Sequence, residues 1–490
     1  MSLKKQALSG IFWTFLEQFS NRIVTFLVSI ILARLLLPEE FGLIAMISVF
    51  YSIARILIES GLTQSIIRSE DVDDVEYSTV FYFNFFVGII VYFFLYQSAP
   101  LVASFYNQSQ LTNIIRVYGI ILIINSLSSI QFTKLSKNMD FKTQIIVVVP
   151  SMIIGSLVGI YLAYHKFGVW SLVYAEIVKA SLTTIQVFWH SKWIPLLKFN
   201  FEKLKKHLKF GLNMMFSYLL DVIYKNIYII LIGKYFSPEQ LGYYSRADLL
   251  KQLPVANLVF ALNKVTLPLF SSINNDVEKL KRAYKRIMSL ITFLIAPLLI
   301  FMIVLAEPII VLLFTEKWLP AVPYFQLLAF TGILHPIQSY NMNILLVKGE
   351  SRLYLILEIT KKIIITISVL LTYQYGINTL IIFQIILSVL FFLINSYFAG
   401  RLINYSTYQQ IKDLFPIILM ALFSGVFLYY FDLWVLKYHF INIFRILIGM
   451  AFGFIVFLIP FILLKSENIF EIVKIIKLSK LRGITKKIRN

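Results

Sequence analysis

Two short segments of this chain match each other at a separation of 200 residues. Residues 38–42 read Pro-Glu-Glu-Phe-Gly and residues 238–242 read Pro-Glu-Gln-Leu-Gly. Both copies lie in a short polar gap between two long apolar segments. A second match, at an offset of 208, relates residues 167–171 to residues 375–379. Such a repeat restricts the chain to folds built from two similar halves, and duplicated apolar halves are typical of membrane transporters.

The apolar segments are long enough to cross a membrane. Hydrophobic residues make up 59% of the 490 residues and the mean hydropathy is +0.80, far above a soluble domain. A bilayer core of ~30 Å requires ~20 helical residues, and transmembrane strands would be shorter and alternating. We predict an all-α integral membrane protein with fourteen transmembrane helices: 10–35, 41–66, 77–99, 111–133, 144–164, 168–190, 209–233, 241–268, 286–306, 320–346, 354–375, 377–400, 412–431 and 441–464.

The basic residues predict the orientation of these helices. If the connections alternate between the two sides, 31 of the 45 Lys and Arg residues fall on the side of the N-terminus and five on the other side. By the positive-inside rule both termini are cytoplasmic. The formal net charge of +20 therefore reflects membrane topology, and no soluble module is present that would bind nucleic acid. The chain contains no cysteine, which excludes disulfides and thiolate metal sites.

The repeat divides the chain into five segments. Six helices separate the matching positions, and an even number makes the two halves parallel repeats around a central cavity. We expect a six-helix N-terminal lobe (1–190), a cytoplasmic linker (191–209), a six-helix C-terminal lobe (210–400), two additional transmembrane helices (401–464) and a basic cytoplasmic tail (465–490). The linker combines aromatic and aliphatic residues with six lysines, which fits either an amphipathic helix on the inner membrane surface or a solvated tether.

Charged residues inside the apolar segments are the candidate functional residues, because an ionisable group in a membrane tends to face a cavity. They concentrate in the first two helices of each repeat, which predicts that helices 1, 2, 7 and 8 line one vestibule. Its cations include Arg22, Arg55, Lys225, Arg246 and Lys251, and its acids are Glu17, Glu59, Asp221 and Asp248.

The excess of cations in this vestibule suits a phosphate or pyrophosphate ligand, which a guanidinium binds with two hydrogen bonds. The alternative is internal pairing. Arg55 and Glu59 are four residues apart, as are Asp221 and Lys225, so each pair could be a salt bridge on one helix face. Arg22 has no acidic residue at helical spacing and is the stronger candidate for a ligand contact.

Three further features have structural interpretations. Ser237 and Gln240 form the pattern of a capping box at the second copy of the repeat. Residues 335–336, His-Pro, predict a kink with a buried histidine, and a proton-relay role is the less favoured alternative. The acidic residues at 70–76 predict a solvated loop, since they lack the glycine turn of a calcium site.

The whole pattern resembles the polysaccharide-transporter (Wzx-type) flippases of the multidrug/oligosaccharidyl-lipid/polysaccharide (MOP) exporter superfamily. The resemblance covers nearly the whole chain. It depends on the order of several motifs together with fourteen helices: Leu-Pro-Glu-Glu-Phe-Gly at 37–42, Gly-Leu-Thr-Gln-Ser-Ile-Ile-Arg at 61–68, Ala-Pro-Leu at 99–101, Met-Asp-Phe-Lys at 139–142, Phe-Gly-Val-Trp-Ser-Leu-Val at 167–173, Leu-Gly-Tyr-Tyr-Ser-Arg-Ala at 241–247 and Glu-Lys-Trp at 316–318.

The resemblance implies a function and a location. The protein would be a flippase that moves a polyprenyl-pyrophosphate-linked oligosaccharide repeat unit across the bacterial cytoplasmic membrane for O-antigen, capsule or exopolysaccharide synthesis. By position in similar flippases, Arg22, Arg55 and Lys251 would hold the pyrophosphate, and the aromatic residues of helices 13 and 14 would contact the lipid tail. A polysaccharide polymerase and chain-length machinery would be its partners.

The sequence also bears on the energy source and on two rival functions. No GxxxxGK[ST] nucleotide loop is present, so a proton or sodium gradient would drive transport, with Glu17 the favoured carboxylate. No cofactor or metal is expected. A multidrug antiporter for cations would need cavity acids without excess cations. A membrane glycosyltransferase or polymerase would need a sizeable outer loop, whereas the outer connections here have about a dozen residues or fewer. We therefore predict a transporter and not an enzyme.

Overall fold

The computed structural model describes residue 20, residues 22–438 and residues 440–463, and every regular element in these ranges is helical. This agrees with the all-α prediction. Eight of the helices are long and apolar enough to cross a membrane, or nine if one bent pair counts as a single span. The protein is therefore a multi-pass membrane protein, while the count of fourteen transmembrane helices stays a prediction.

The helices form two compact units that meet in sequence between Ser245 and Arg246. The first unit contains α1 (22–35), α2 (Pro38–Glu59), α3 (Leu62–Arg68), α4 (Asp74–Tyr106), α5 (Leu111–Tyr118), α6 (Ile120–Lys137), α7 (Phe141–Tyr164), α8 (Val169–Ser191), α9 (Phe201–Lys225), α10 (Ile227–Tyr235) and the start of α11 (Pro238–Ser272). The predicted six-helix lobes, 1–190 and 210–400, have boundaries that differ from those of these two units, and the division into lobes stays a prediction.

The second unit contains the rest of α11 and the helices that follow it. These are α12 (Val277–Val304), α13 (Ala306–Phe314), α14 (Ala321–Val347), α15 (Ser351–Thr372), α16 (Ile377–Leu402), α17 (Thr407–Leu436) and α18 (Asn442–Leu463). Helix α12 is the centre of its core, with Phe293 packed on Phe457 and Phe461 of α18 at ring-centroid distances of 5.0 Å. Helix α17 approaches α12 closely at Gly425, where an added Cβ would lie 2.5 Å from Ile300. The two helices outside the repeat, α17 and α18, thus belong to the second unit.

The two copies of the repeated pentapeptide contact each other. A Cβ added at Gly42 would lie 1.7 Å from the Pro238 carbonyl oxygen, and one added at Gly242 would lie 2.0 Å from the Pro38 carbonyl oxygen. Each copy therefore provides a glycine that receives the backbone of the other copy. The glycines are required because any side chain would prevent this close backbone approach.

Both copies also begin helices by similar local bonds. In the second copy the Gln240 N–H donates to Ser237 Oγ at 3.2 Å and the Ser237 N–H donates to Gln240 Oε1 at 3.3 Å, which confirms the predicted capping box. The first copy has Leu37 at the cap position. Its N–H still donates to Glu40 Oε2 at 2.7 Å, so half of the box is retained.

A second close backbone contact joins α9 to the turn between α2 and α3. Gly61 has φ +65° and an added Cβ would lie 2.4 Å from the Gly211 carbonyl oxygen, while a Cβ at Gly211 would lie 2.4 Å from the Ser60 carbonyl oxygen. Beyond this contact the helix continues to Lys225, where a bend of 48° separates α9 from α10. These contacts explain why α9 and α10 belong to the first unit.

Only the second part of the linker is helical. Residues 192–200, which we call the strap, contain no helix, and α9 starts only at Phe201. Pro195 lies within the strap, and a proline disfavours helical geometry at the preceding residue. Two hydroxyl groups of α4 accept hydrogen bonds from the strap backbone, Ser78 Oγ from Leu196 N–H at 2.8 Å and Thr79 Oγ1 from Asn200 N–H at 3.0 Å.

The acidic residues before and in the first turn of α4 fix the linker, so they are not simply a solvated loop. Asp73 pairs with Lys203, and Asp74 Oδ1 accepts a hydrogen bond from Trp193 Nε1 at 2.9 Å. The bond from the Lys203 ammonium is the main reason that the pKa of the Asp73 carboxyl group lies below its ordinary value. Glu76, which is buried, pairs with Lys206 at 3.2 Å.

Candidate functional site

Arg55 and Glu59 form an ion pair on α2, as their four-residue spacing predicts. Arg55 Nε donates to Glu59 Oε1 at 2.8 Å. The Arg55 side chain is nevertheless 60% exposed, although it lies in a helix apolar enough to cross a membrane. The predicted alternative of internal pairing is therefore confirmed for this pair. A guanidinium has five N–H donors, and this bond occupies only the one on Nε.

Polar residues of α6 and α8 extend this site within the first unit. Tyr51 lies one turn before Arg55, and its hydroxyl accepts a hydrogen bond from Asn125 Nδ2 of α6 at 2.7 Å. Glu176 of α8 is close enough to act electrostatically on Tyr51, and it forms an ion pair with Lys179 at 3.1 Å. We call these residues, with Arg55 and Glu59, the first-unit cluster. The sequence signal for Glu176 and Lys179 was a pair of opposite charges three residues apart in an apolar segment.

A comparable group lies in the second unit. Lys251 Nζ is 2.5 Å from Asp248 Oδ1 on α11, and Lys361 pairs with Glu358 on α15. His335 of α14 lies within electrostatic range of Lys251, Asp248 and Lys361. We call these five residues the second-unit cluster. Lys361 lies within the predicted helix 354–375 and within α15, but it was not among the residues that the sequence indicated for the vestibule.

His335 differs from its prediction in one respect. Pro336 does lie inside α14, but the histidine is exposed and not buried. This position beside two ion pairs is chemically different from that of a packed core histidine, because the imidazole ring is close to charged groups.

The remaining predicted residues are placed as follows. Arg22, Asp221 and Arg246 are half-buried in α1, α9 and α11, and Lys225 is exposed at the last position of α9, next to the bend. Glu17 lies outside the described residues. No group of three or more His, Asp or Glu residues that could hold a metal ion occurs in the part of the chain that the structure describes.

The two clusters share a chemical property. Each central cation has a carboxylate partner on its own helix, Glu59 for Arg55 and Asp248 for Lys251. An anion that enters can therefore replace the carboxylate as the partner of the cation. A charged hydrogen bond to phosphate is similar in kind to one with a carboxylate, but the displaced carboxylate stays in the cluster without its counter-charge, so the exchange makes the cluster more negative.

A further ion pair lies apart from these clusters. Arg445 Nε and Nη2 of α18 donate to the two Asp432 carboxylate oxygens of α17, both at 2.6 Å, and both side chains are buried. The residues are thirteen apart and lie on different helices, so no helical spacing indicated the pair. It joins the two helices that have no counterpart in the repeat.

The chain resembles proteins of polysaccharide biosynthesis. It is 26% identical to the teichuronic acid biosynthesis protein TuaB of Bacillus subtilis, over 84% of this chain and 86% of that relative. Among solved structures, the lipid II flippase MurJ in an inward closed conformation matches with a TM-score of 0.75 at 15% identity, over 93% of this chain and 99% of MurJ. An inward-facing multidrug resistance MATE transporter of the MOP superfamily matches with a TM-score of 0.58 at 16% identity, over 77% of this chain and 94% of that protein.

These likenesses establish the fold and the family. At such identities the two structures show the fold alone, which this chain shares with membrane transporters. The sequence profile described as "Polysaccharide biosynthesis protein" matches residues 31–323, more than half of the chain. The chain, with its all-helical fold and its charged clusters inside apolar helices, therefore belongs to the polysaccharide biosynthesis protein family.

Proposed function

We propose that the protein is a flippase that moves a polyprenyl-pyrophosphate-linked oligosaccharide repeat unit from the inner to the outer leaflet of the bacterial cytoplasmic membrane. The observation that carries this proposal is the exposed Arg55 guanidinium in a membrane-crossing helix of a polysaccharide biosynthesis protein. The polar head group of a sugar intermediate made on a lipid carrier needs a polar route across the membrane. The role of the relative TuaB in teichuronic acid biosynthesis supports this class of substrate.

The pyrophosphate is the part of the substrate that the charged residues would hold. We assign this role to five cations: Arg22, Arg55, Lys225, Arg246 and Lys251. Arg55 has donors beyond the one that binds Glu59, and a guanidinium can bind two phosphate oxygens together. The polyprenyl tail would stay in the lipid, where α17 presents exposed aromatic side chains, among them Phe423, Phe427 and Tyr430.

The carboxylates provide the link to an ion gradient. We assign this role to Glu17, Glu59, Asp221 and Asp248. When a pyrophosphate replaces Glu59 as the partner of Arg55, the Glu59 carboxylate loses its counter-charge. Binding of a proton or sodium ion to this carboxylate would compensate for that loss. The same argument applies to Asp248 and Lys251 in the second unit. Substrate binding and ion binding would thus favour each other within one cluster.

The topology and partners complete the proposal. Both termini would lie in the cytoplasm, because the basic residues concentrate on their side. Transport would proceed by alternating access, in which the polar head group is exposed first to one side and then to the other. The polymerase and chain-length machinery that use the delivered repeat unit would act on the outer side.

The test is transfer of a fluorescent polyprenyl-pyrophosphate sugar between the leaflets of proteoliposomes. We expect Arg55→Ala to slow transfer by roughly tenfold to hundredfold, since a charged hydrogen bond contributes about 1.5–3 kcal/mol. Arg55→Lys should retain part of the activity. The matched control is Arg116→Ala, because Arg116 is a half-buried arginine outside both clusters, with its guanidinium 4.4 Å from the centroid of the Tyr96 ring.

Two further measurements separate the rival functions. Transfer with and without a proton or sodium gradient tests the coupling role, and Glu59→Gln should remove the gradient dependence while leaving the protein folded. If the native protein moves none of these lipids and instead exports a cationic dye, it is a multidrug antiporter and the flippase proposal is wrong.

A further inference from the structure

The strap has one face fixed to the protein. Trp193 is only 6% exposed and packs in a cluster with Leu62 of α3, Phe81 of α4 and other buried residues. Gln131 Nε2 of α6 donates to the Trp193 carbonyl oxygen at 3.0 Å, in addition to the hydrogen bond between the indole and Asp74. With its backbone also bonded to Ser78 and Thr79, the strap is held in one position on the first unit.

The other face of the strap is apolar and exposed. Leu197 is 95% exposed and Ile194 is 75% exposed, and Trp189, at the end of α8, is 80% exposed. Phe199 and Phe201 are exposed in the same segment. Because the docked face fixes the backbone, these side chains cannot turn inward to bury themselves. A contiguous apolar patch of this kind marks an interaction surface.

Lysines surround this apolar face. Lys192, Lys198, Lys205 and Lys209 are exposed in the strap and the first part of α9. The other two lysines of the linker, Lys203 and Lys206, are paired with Asp73 and Glu76. Exposed apolar side chains bordered by lysines are the pattern of a segment that lies in a membrane interface and attracts anionic lipids. The strap directly follows α8, a predicted transmembrane helix, so it lies at the level where helices leave the bilayer.

We propose that the strap is a membrane-surface site for anionic phospholipids. Ile194, Leu197 and Trp189 enter the boundary between head groups and acyl chains, and the four exposed lysines contact the lipid phosphates. The site is independent of the substrate that the protein transports, because it lies on the linker and contains no residue of either charged cluster.

The absence of native cysteine makes a direct test simple. A single Leu197→Cys variant is labelled with an environment-sensitive dye and placed in vesicles with equal amounts of phosphatidylglycerol and phosphatidylcholine. In each sample only one of the two lipids, phosphatidylglycerol or phosphatidylcholine, carries bromine atoms, which quench the dye. Glu70→Cys is the matched control, since Glu70 is exposed in the loop just before α4, next to the strap, but is not apolar. We expect a blue-shifted, quenched dye at 197 and an aqueous, unquenched dye at 70.

The choice of lipid tests the role of the lysines. Brominated phosphatidylglycerol should quench the dye at 197 several-fold more than brominated phosphatidylcholine, since one lysine near a surface favours an anionic membrane by roughly fivefold. Replacing the four exposed lysines by glutamine, or raising the salt concentration, should abolish this difference. Equal quenching by both lipids in the Leu197→Cys protein with its lysines intact would overturn the proposal. An unquenched dye at position 197 would also overturn it, because the dye would then lie in water or be covered by protein.

Discussion

The buried ion pair between Arg445 and Asp432 shows how strongly single residues can depend on each other. Its two short hydrogen bonds join α17 to α18 in an apolar setting. Desolvation of both charges is costly, and only the complete pair offsets that cost. The pairs Arg55–Glu59 and Lys251–Asp248 differ, because their side chains retain more contact with solvent and can exchange partners.

Removing one member of the buried pair should therefore be more harmful than removing both. We expect Asp432→Asn to destabilise the second unit by about 3–5 kcal/mol, because the Arg445 charge stays buried without a counter-charge. The double variant Asp432→Leu with Arg445→Met should be close to the native protein. The thermal unfolding midpoints of the purified single and double variants measure these two effects on stability. Equal midpoints for the two variants would contradict this account.

The two tryptophans at the end of α8 and in the strap offer a matched comparison. Trp193→Ala should destabilise the first unit by about 3–5 kcal/mol, since it removes a buried aromatic side chain and leaves a cavity. Trp189→Ala should change stability by no more than about 0.5 kcal/mol in detergent, because this side chain is exposed. Thermal unfolding tests the difference, and trypsin cleavage at the strap lysines should become faster only in the Trp193 variant.

Among the helices, the most specific contacts are made by backbone and not by side chains. Gly42 and Gly242 accept the opposite copy of the repeat, and Gly61 and Gly211 join the middle of α9 to the turn after α2. These positions allow backbones to meet without intervening side chains. A small residue at such a position is therefore a requirement of packing between particular elements.

Gly42→Ala should open the contact between the two pentapeptides. The new methyl group would lie 1.7 Å from the Pro238 carbonyl oxygen, so the helix ends must separate. A cysteine at Met46, a fully buried position one turn further along α2, reports this change. We expect Met46→Cys to resist maleimide labelling alone and to react quickly when combined with Gly42→Ala.

The matched control for this experiment is Gly449→Ala in α18. There the added Cβ would lie 3.2 Å from the ends of a leucine side chain, which can move away. Fast labelling of Met46→Cys in combination with either glycine substitution would indicate a general loss of packing. No labelling with either substitution would show that the backbone contact at Gly42 tolerates a methyl group.

For the molecule as a whole, the distribution of charge predicts how it lies in the membrane. With 31 Lys and Arg on one side and five on the other, insertion in the opposite orientation is strongly disfavoured. Green fluorescent protein fused after residue 490 should fluoresce, because it folds in the cytoplasm. Alkaline phosphatase fused after Lys437, between α17 and α18, should be active, because it requires the outer side. The reverse pattern would refute the predicted orientation.

Sequence reasoning was most successful where a property is local or is summed over many residues. Apolar length indicated the membrane helices, and the spacing of Arg55 and Glu59 indicated their pairing. It failed for contacts between elements that are distant in sequence. The pair Arg445–Asp432, the docking of Trp193 and the proximity of Lys361 to His335 depend on which helices pack together.

The amino-acid sequence by itself determined that this protein is a helical, multi-pass membrane protein of a transporter type with an internal repeat. These properties follow from hydropathy, charge and periodicity, which act along the chain. Only the tertiary structure decided that the repeated pentapeptides contact each other, that Asp74 holds the strap through Trp193, and that Arg445 pairs with Asp432. Such contacts depend on close packing in three dimensions, where a shift of one helix changes every neighbour of a side chain.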